Sequence, residues 1–156
     1  PDKVNDILRK MGMRIGEDSH VYTLRIPGEA WLVRIGDHCT ISSDVTFVTH
    51  SATRILQHKY DSLTGFGCID IKDYTHVGVN ATIMPDVTAG LHSIIGAGSV
   101  VTKDVPPNTV VGGNPAWVIC TIDEYEQKCK EKHIDVPKDR DAMRKVLEQH
   151  FWGDDD

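Results

Sequence analysis

The chain has 156 residues, a formal net charge of −6 and a pI near 5.7, and its length suffices for one domain with a core. The acidic balance argues against nucleic acid or an anionic membrane surface as the main partner. No apolar run approaches the ~18 residues of a membrane span and no signal segment opens the chain, so the sequence predicts a cytoplasmic protein. The four cysteines lack a CxxC pair, which favours reduced thiols over a disulfide framework or a zinc site.

A short helix is predicted at the N terminus, over residues 1–12. Its apolar stripe consists of Val4, Ile7, Leu8 and Met11. Gly12 then ends the helix. Ile15 and Val21 indicate an irregular first coil of β structure, whereas residues 27–31 fit no period.

A period of six residues dominates the middle of the chain. The leading position of each hexad is apolar, at Ile35, Ile41, Phe47, Ile71, Val77, Ile83, Ala89, Ile95 and Val101. Four places further on, each residue is small, at Cys39, Val45, Ser51, Thr75, Ala81, Val87, Ser93, Ser99 and Val105. Glycine directly follows the leading residue at Gly36, Gly78, Gly90 and Gly96, where we expect turns with unusual backbone angles.

A period of six fits neither a 3.6-residue helix nor simple strand alternation, so it predicts a triangular coil of three short strands. The leading residue fills the interior, the small residue fits a corner, and coils stack at roughly 4.8 Å. Residues 35–52 form one coil in this interpretation and residues 71–106 form two. Residues 53–70 fall out of phase and are predicted to leave the prism as a loop. An ordinary antiparallel β domain whose strands fall in step is the alternative.

A helical extension is predicted over residues 121–156. Thr121 and Glu124 form a capping-box pattern for a helix that continues to about Lys132. A second helix is indicated by the stripe of Met143, Val146, Leu147 and Phe151. We expect the terminal helices to cap the open ends of the prism, whose unpaired strands would otherwise favour aggregation.

Two stretches resemble the hexapeptide-repeat acyltransferases. IIGAGSVVTKDVPPNTVVGGNPAWVI (residues 94–119) is similar to the last coils of that family, and VRIGDHCTISSDVTFVTH (residues 33–50) is similar to its first full coil. The likeness is strongest to the sugar and polysaccharide O-acetyltransferases, which include galactoside and maltose acetyltransferases. It covers residues 13–120 and implies an all-β fold, a left-handed parallel β-helix. The handedness comes from the family alone, because general crossover preferences favour the opposite hand.

The resemblance implies that His50 is the catalytic base. An imidazole with an ordinary pKa of ~6.5 is largely neutral near pH 7 and can accept a hydroxyl proton. The acceptor oxygen then attacks the thioester of acetyl-CoA through a tetrahedral oxyanion.

Other histidines give weaker signals. His38 and His92 occupy outward positions, which favours solvated faces. His76 stands where the family usually has a large aromatic or aliphatic residue near the pantetheine arm, so it could pack there or add a polar group. His58 could contact an acceptor, although exposure on the loop is the plainer interpretation. The related zinc chemistry of β-helix carbonic anhydrases needs a third histidine in step, which is missing, so no metal is expected.

The resemblance also implies a coenzyme A site along the last coils. Ala97, Thr102 and Lys103 match the family's CoA-contacting stretch, with Lys103 placed to meet a phosphate. Gly78 matches a glycine that lets the pantetheine arm approach the backbone. Trp117 departs from the pattern, because a basic residue commonly follows GNPA; its indole could stack on adenine instead.

The function these residues imply is O-acetylation of a sugar or polysaccharide precursor by a homotrimer, with acetyl-CoA as cosubstrate. In related enzymes a loop such as 53–70 reaches the next subunit, so Arg54, Lys59 and Tyr60 could help to recognise the acceptor; a mobile surface loop is the alternative. N-acetylation of an amino-sugar nucleotide and an inactive β-helix scaffold are the rival functions.

Overall fold

The computed structural model describes residues 2–153, and its main feature is a three-sided prism of short strands. In chain order the strands are β1 (Arg14–Ile15), β2 (His20–Val21), β3 (Val33–Ile35), β4 (Thr40–Ile41), β5 (Thr46–Phe47), β6 (Ile69–Ile71), β7 (His76–Val77), β8 (Thr82–Ile83), β9 (Thr88–Ala89), β10 (Ile94–Ile95), β11 (Val100–Val101), β12 (Thr109–Gly113) and β13 (Ala116–Thr121). The helices are α1 (Asp2–Lys10), α2 (Ile122–Glu131) and α3 (Arg140–Trp152), with 3₁₀ turns at Ala30–Leu32 and Thr53–Leu56.

The strands form three sheets, one for each side of the prism. Sheet A has the order β1-β3-β6-β9, sheet B has the order β2-β4-β7-β10-β12-β13, and sheet C has the order β5-β8-β11. Every neighbouring pair is parallel except β12 and β13. Ile71 lies beside Ala89 and Ile83 lies beside Val101, which is a step of 18 residues per coil. The predicted triangular coil is confirmed, and the antiparallel alternative is wrong.

The interior of the prism is filled as the hexad pattern predicts. All nine leading residues are at most 3% exposed. Eight of the nine small residues are also buried, and Ser51 is the exception because the chain leaves the coil just before it. Burial of one residue type at each repeated position is what makes the period visible in the sequence.

The residue with a positive φ at each corner is not the one expected from the sequence. In seven hexads the residue three places after the leading one has a φ between 54° and 68°, at His38, Asp44, Tyr74, Asn80, Asp86, His92 and Gly98. None of the four glycines that follow a leading residue has a positive φ. The expectation of unusual angles at those glycines is therefore wrong. The left-handed corner is instead taken mainly by Asn, Asp and His, the residues that best tolerate it after glycine.

Close stacking of the coils explains three of the four glycines. A Cβ on Gly78 would lie 2.5 Å from the backbone nitrogen of Ala97, and a Cβ on Gly90 would lie 2.5 Å from that of Pro107. A Cβ on Gly36 would lie 2.8 Å from the backbone nitrogen of Asp73. These distances are too short for any side chain, so glycine is required here by the neighbouring coil.

The chain leaves the prism over residues 51–66, a segment called the excursion below. Its ends are joined by hydrogen bonds from the Ser51 amide to the Gly65 carbonyl (2.7 Å) and from the Gly67 amide to the Thr49 carbonyl (2.9 Å). The predicted limits of 53–70 need correction, because Ile69 and Asp70 already belong to β6. Both lie in register with β3, so β6 pairs with β3 before the hexad phase resumes at Ile71.

The ends of the prism are closed in two ways. At the start, α1 buries Leu8 in the core, and the Asn5 side chain donates to the Ser19 carbonyl at 2.7 Å. At the far end the chain reverses, so that β13 pairs antiparallel with β12 and covers its edge. This hairpin was not foreseen from the sequence.

The chain divides into two compact units, residues 1–125 and residues 126–156. The capping box before α2 is confirmed, with the Glu124 amide donating to Thr121 Oγ1 and the Thr121 amide donating to Glu124 Oε2. In the second unit, Asp139 caps α3 by accepting from the Ala142 amide at 2.8 Å. Among the helices described, none combines the length and the apolar character that crossing a membrane requires.

An ion-pair cluster on sheet A gives a pH-dependent contribution to stability. Asp70 accepts from Arg34 Nε at 2.9 Å and from Lys72 Nζ at 2.6 Å, and its side chain is 16% exposed. The Arg34 guanidinium, with a smaller effect of Lys72, lowers the pKa of Asp70 from 3.8 to about 2. The carboxylate thus stabilises the fold above pH ~4, and this contribution is lost as the pH falls towards 2.

Asp70→Asn is expected to lower the free energy of unfolding by about 1–2 kcal/mol at pH 7, since solvent screens part of the pair. Urea denaturation at pH 7, 4 and 3 should show the difference from wild type shrinking as the pH falls. Asp61→Asn, in the exposed excursion, is the control and should change little. A difference that grows on acidification would contradict the assignment.

Candidate active site

His50 lies at the neck of the excursion, where the chain leaves sheet C. Its backbone forms an isolated antiparallel bridge with Phe66, so both ends of the excursion meet at this residue. The preceding Thr49 is buried, while the imidazole is 59% exposed. The Phe66 ring faces the imidazole edge-on, with 6.5 Å between ring centres. The neck therefore fixes the backbone of His50 and leaves its ring open to solvent.

A carboxylate orients the His50 ring. Glu29 Oε2 lies 2.9 Å from His50 Nδ1 and accepts from Thr49 Oγ1 at 2.6 Å. The hydrogen bonds from Thr49 and then from His50 lower the pKa of Glu29, so it is ionised at neutral pH. An ionised carboxylate only accepts hydrogen bonds, so Nδ1 carries the proton and donates. The free lone pair of the neutral ring is then on Nε2.

Glu29 was not found by sequence reasoning. It lies in the segment that fits no period, directly before the 3₁₀ turn Ala30–Leu32. Pro27 and Ala30 are buried on either side and hold the segment against the prism. The only available signal was an isolated acidic residue in an unphased stretch, and nothing local connects it with a histidine 21 residues later.

Beside His50 the excursion encloses an open cleft of about 510 Å³. Its polar lining includes Glu29, His50, Ser51, Thr53, Arg54, Gln57 and Thr64, and its apolar lining is Leu63 and Phe66. Of the three loop residues singled out for acceptor recognition, Arg54 lines this cleft, whereas Lys59 and Tyr60 do not. A polar small molecule could therefore lie against the imidazole.

The residues predicted to contact coenzyme A do not all line one cavity. Lys103 and Trp117 line one cavity of about 300 Å³, together with Asp104 and with apolar residues of the last coil, β12 and β13. Gly78 is buried directly beneath Ala97 at a corner of the prism. Thr102 is exposed and lies next to Lys103, outside the lining of that cavity. The contact with Ala97 already explains the glycine, and a role in binding the pantetheine arm stays a prediction.

Sheet C contains both the strand that leads to His50 and the strand that leads to Lys103. Phe47 in β5, Ile83 in β8 and Val101 in β11 lie in register, so the strands that lead to His50 and to Lys103 are two coils apart. Two coils correspond to roughly 10 Å along the prism axis. An elongated ligand held near Lys103 can thus run along this side of the prism towards His50.

The other histidines lie elsewhere. His76 points outward from sheet B between Thr40 and Ile94, and loss of hydration lowers its pKa, which favours the neutral ring. His58 Nδ1 lies 2.8 Å from the Ile55 carbonyl and is outside the cleft lining. His38 and His92 are exposed at corners, as expected.

Within residues 2–153, no group of three or more His, Cys, Asp or Glu side chains is arranged to hold a metal ion. All four cysteines are free thiols. The candidate site therefore consists of an oriented imidazole, a polar cleft beside it, and a cavity further along the prism that Lys103, Asp104 and Trp117 help to line.

A parallel β-helix of short repeated coils that carries an oriented histidine is typical of a class of acyl-transferring enzymes. Comparison with known proteins supports this class. No family model matches the chain. Protein CapG of Staphylococcus aureus is 42% identical over 130 residues, covering 81% of this chain and 76% of CapG. The galactoside O-acetyltransferase of Escherichia coli is 39% identical over 98 residues, covering 62% of this chain and 48% of that enzyme.

Among solved structures, the hexapeptide-repeat acetyltransferase VCA0836 of Vibrio cholerae, in complex with acetyl-CoA, superposes with a TM-score of 0.64 at 33% identity. The match covers 70% of this chain and 60% of that one. The chain belongs to the hexapeptide-repeat acetyltransferases. Its enzyme class is that of an acetyl-CoA-dependent acyltransferase.

Proposed function

We propose that this chain is an O-acetyltransferase that moves the acetyl group of acetyl-CoA to a hydroxyl of a sugar or polysaccharide precursor, with His50 as general base. The observation that carries the proposal is the pair of Glu29 and His50, which leaves Nε2 unprotonated beside a polar cleft. Two names support a hydroxyl acceptor: the galactoside O-acetyltransferase of Escherichia coli, and a maltose O-acetyltransferase of Clostridium difficile whose structure matches with a TM-score of 0.62 at 28% identity.

In the proposed reaction, Nε2 of His50 accepts the proton of the acceptor hydroxyl as its oxygen attacks the thioester carbon. Collapse of the tetrahedral intermediate breaks the carbon–sulfur bond, and the imidazolium returns the proton to the CoA thiolate. Glu29 stabilises the imidazolium through Nδ1 and holds the ring orientation. A positioned base of this kind is worth about 10²–10⁴-fold in rate.

Coenzyme A is proposed to bind along the last coils. Lys103 would meet a phosphate as a point charge, and the 69% exposed indole of Trp117 would stack on adenine. Thr102 and Ala97 would contact the pantetheine arm of coenzyme A, between Lys103 and His50. The parallel register of sheet C supports this path, because His50 follows β5 and Lys103 follows β11 of that sheet.

We also propose a left-handed β-helix and a homotrimer, as in the sugar acetyltransferase branch, and a cytoplasmic location, where acetyl-CoA is available. The excursion supports the trimer, because Ile55 is 75% exposed and Tyr60 is 55% exposed on a segment that projects from the prism. Apolar side chains on such a segment favour contact with another subunit.

Glu29→Gln is expected to reduce kcat/KM for acetyl transfer by about 10- to 100-fold, because the ring loses its charged partner and its fixed orientation. Glu17→Gln, which is exposed on the first coil, is the control. Full kcat/KM in Glu29→Gln would argue against a role of the pair in catalysis.

The function is tested by following CoA thiol release with a panel of sugars, sugar nucleotides and matched amino sugars. We expect acceptor-dependent release with hydroxyl acceptors and an O-acetyl product that is labile to mild base. Release with amines but with no hydroxyl acceptor would instead establish N-acetylation. Acetyl-CoA should raise the melting temperature by ligand linkage, and the rise should be smaller in Lys103→Gln.

A further inference from the structure

Arg54, one of the lining residues of the cleft, narrows the class of acceptor. Arg54 is an exposed lining residue, and among the described residues 2–153 no carboxylate lies within ion-pair distance of it. The one acidic residue of the lining, Glu29, is hydrogen-bonded to Thr49 and His50. Arg54 therefore lines the same cleft as His50, the proposed base, and has no carboxylate partner within residues 2–153.

The local charge also differs from that of the whole protein. Within the excursion, Arg54 and Lys59 against Asp61 give a net charge of +1, in a chain whose formal charge is −6. Lys59 lies outside the cleft lining, so Arg54 is the cationic residue of that lining and can attract an anion there. The planar fork of an arginine matches a carboxylate or phosphate with two parallel hydrogen bonds.

The remaining lining residues suit a carbohydrate. Ser51, Thr53, Gln57 and Thr64 offer hydroxyl and amide groups that can both donate and accept. Phe66 offers a ring that is 58% exposed and lies beside the imidazole. Polar groups around one apolar face are what a sugar ring requires.

We propose that the acceptor is an acidic sugar, in which a carboxylate binds Arg54 while a ring hydroxyl lies at His50 Nε2. This inference rests on the proposed function of the cleft as the acceptor site, and it goes further by naming the substrate class. Arg54 acts here as a specificity-determining residue that touches the substrate away from the reacting oxygen.

The test compares matched methyl glycosides, each pair consisting of a hexuronic acid and the corresponding neutral hexose. Wild type should show at least tenfold higher kcat/KM for the acidic member of a pair. Arg54→Gln should lose about 10- to 100-fold on the acidic acceptor and less than twofold on the neutral one. Lys59→Gln, in the same excursion but outside the cleft lining, should retain the preference, and Arg54→Lys should restore part of it.

Equal turnover of both members by wild type, or an equal loss on both in Arg54→Gln, would overturn the proposal. Binding of the same glycosides, measured by ligand-observed NMR without acetyl-CoA, separates this inference from the proposed function. Tighter binding of the acid that depends on Arg54 supports the inference even if no acetyl group is transferred. Transfer to neutral sugars with no such dependence leaves the proposed function intact and refutes the acidic acceptor.

Discussion

His50→Ala is expected to lower kcat for acetyl transfer by about 10²–10⁴-fold and to leave the fold intact. The ring is 59% exposed, so its removal opens no cavity in the core. Glu29 keeps its hydrogen bond from Thr49, so the carboxylate is not left without a partner. The loss should therefore appear in turnover, with the melting temperature unchanged within about 2 °C.

The matched control is His58→Ala, since His58 lies in the same excursion but outside the cleft lining. Steady-state thiol release with the best acceptor measures both variants, and acetyl-CoA binding should be the same in each. Full turnover by His50→Ala would show that this residue is not the base, even though the fold is as described.

Gly78→Ala is expected to cost about 3 kcal/mol of unfolding free energy, because the new methyl group would lie 2.5 Å from the Ala97 backbone nitrogen. The obstacle is the main chain of the next coil, which cannot rotate away as a side chain can. A loss of this size corresponds to a fall of roughly 6–12 °C in melting temperature for a chain of this length.

Gly28→Ala is the control, since a Cβ there meets nothing within 4 Å and the residue has no positive φ. It should change the unfolding free energy by less than about 0.5 kcal/mol. Thermal and urea unfolding distinguish two roles of Gly78. If Gly78→Ala kept full stability and only raised the KM for acetyl-CoA, the glycine would serve the pantetheine arm and not the stacking of the coils.

Much of the fold could be read from residue order, because every coil places the same kind of residue at the same point. The nine leading residues are all buried, and the coil step of 18 residues follows directly from their spacing. The same logic failed at the corners, because a glycine pattern does not show whether glycine serves an unusual φ or a short distance to the next coil. Only the stacked backbone distinguishes these causes, as at Gly78 and Ala97.

The candidate site also has a part that could be predicted from the sequence and a part that could not. The motif around His50 and the stretch 94–119 are continuous in the chain, and their likeness to a known family suggested a base and a donor site. The partner of His50 was missed because Glu29 belongs to a segment without a period. Its position depends on how the first coil closes against Thr49, which is a long-range contact.

The sequence alone therefore determined the prism, its interior and the enzyme family, because a repeated local environment imposes a repeated residue type. The tertiary structure alone decided which carboxylate orients the imidazole, which loop residue faces the cleft, and where the chain reverses at β12 and β13. Those features join segments that are far apart in the chain and do not repeat. No local preference encodes such contacts, and only the packed backbone brings them together.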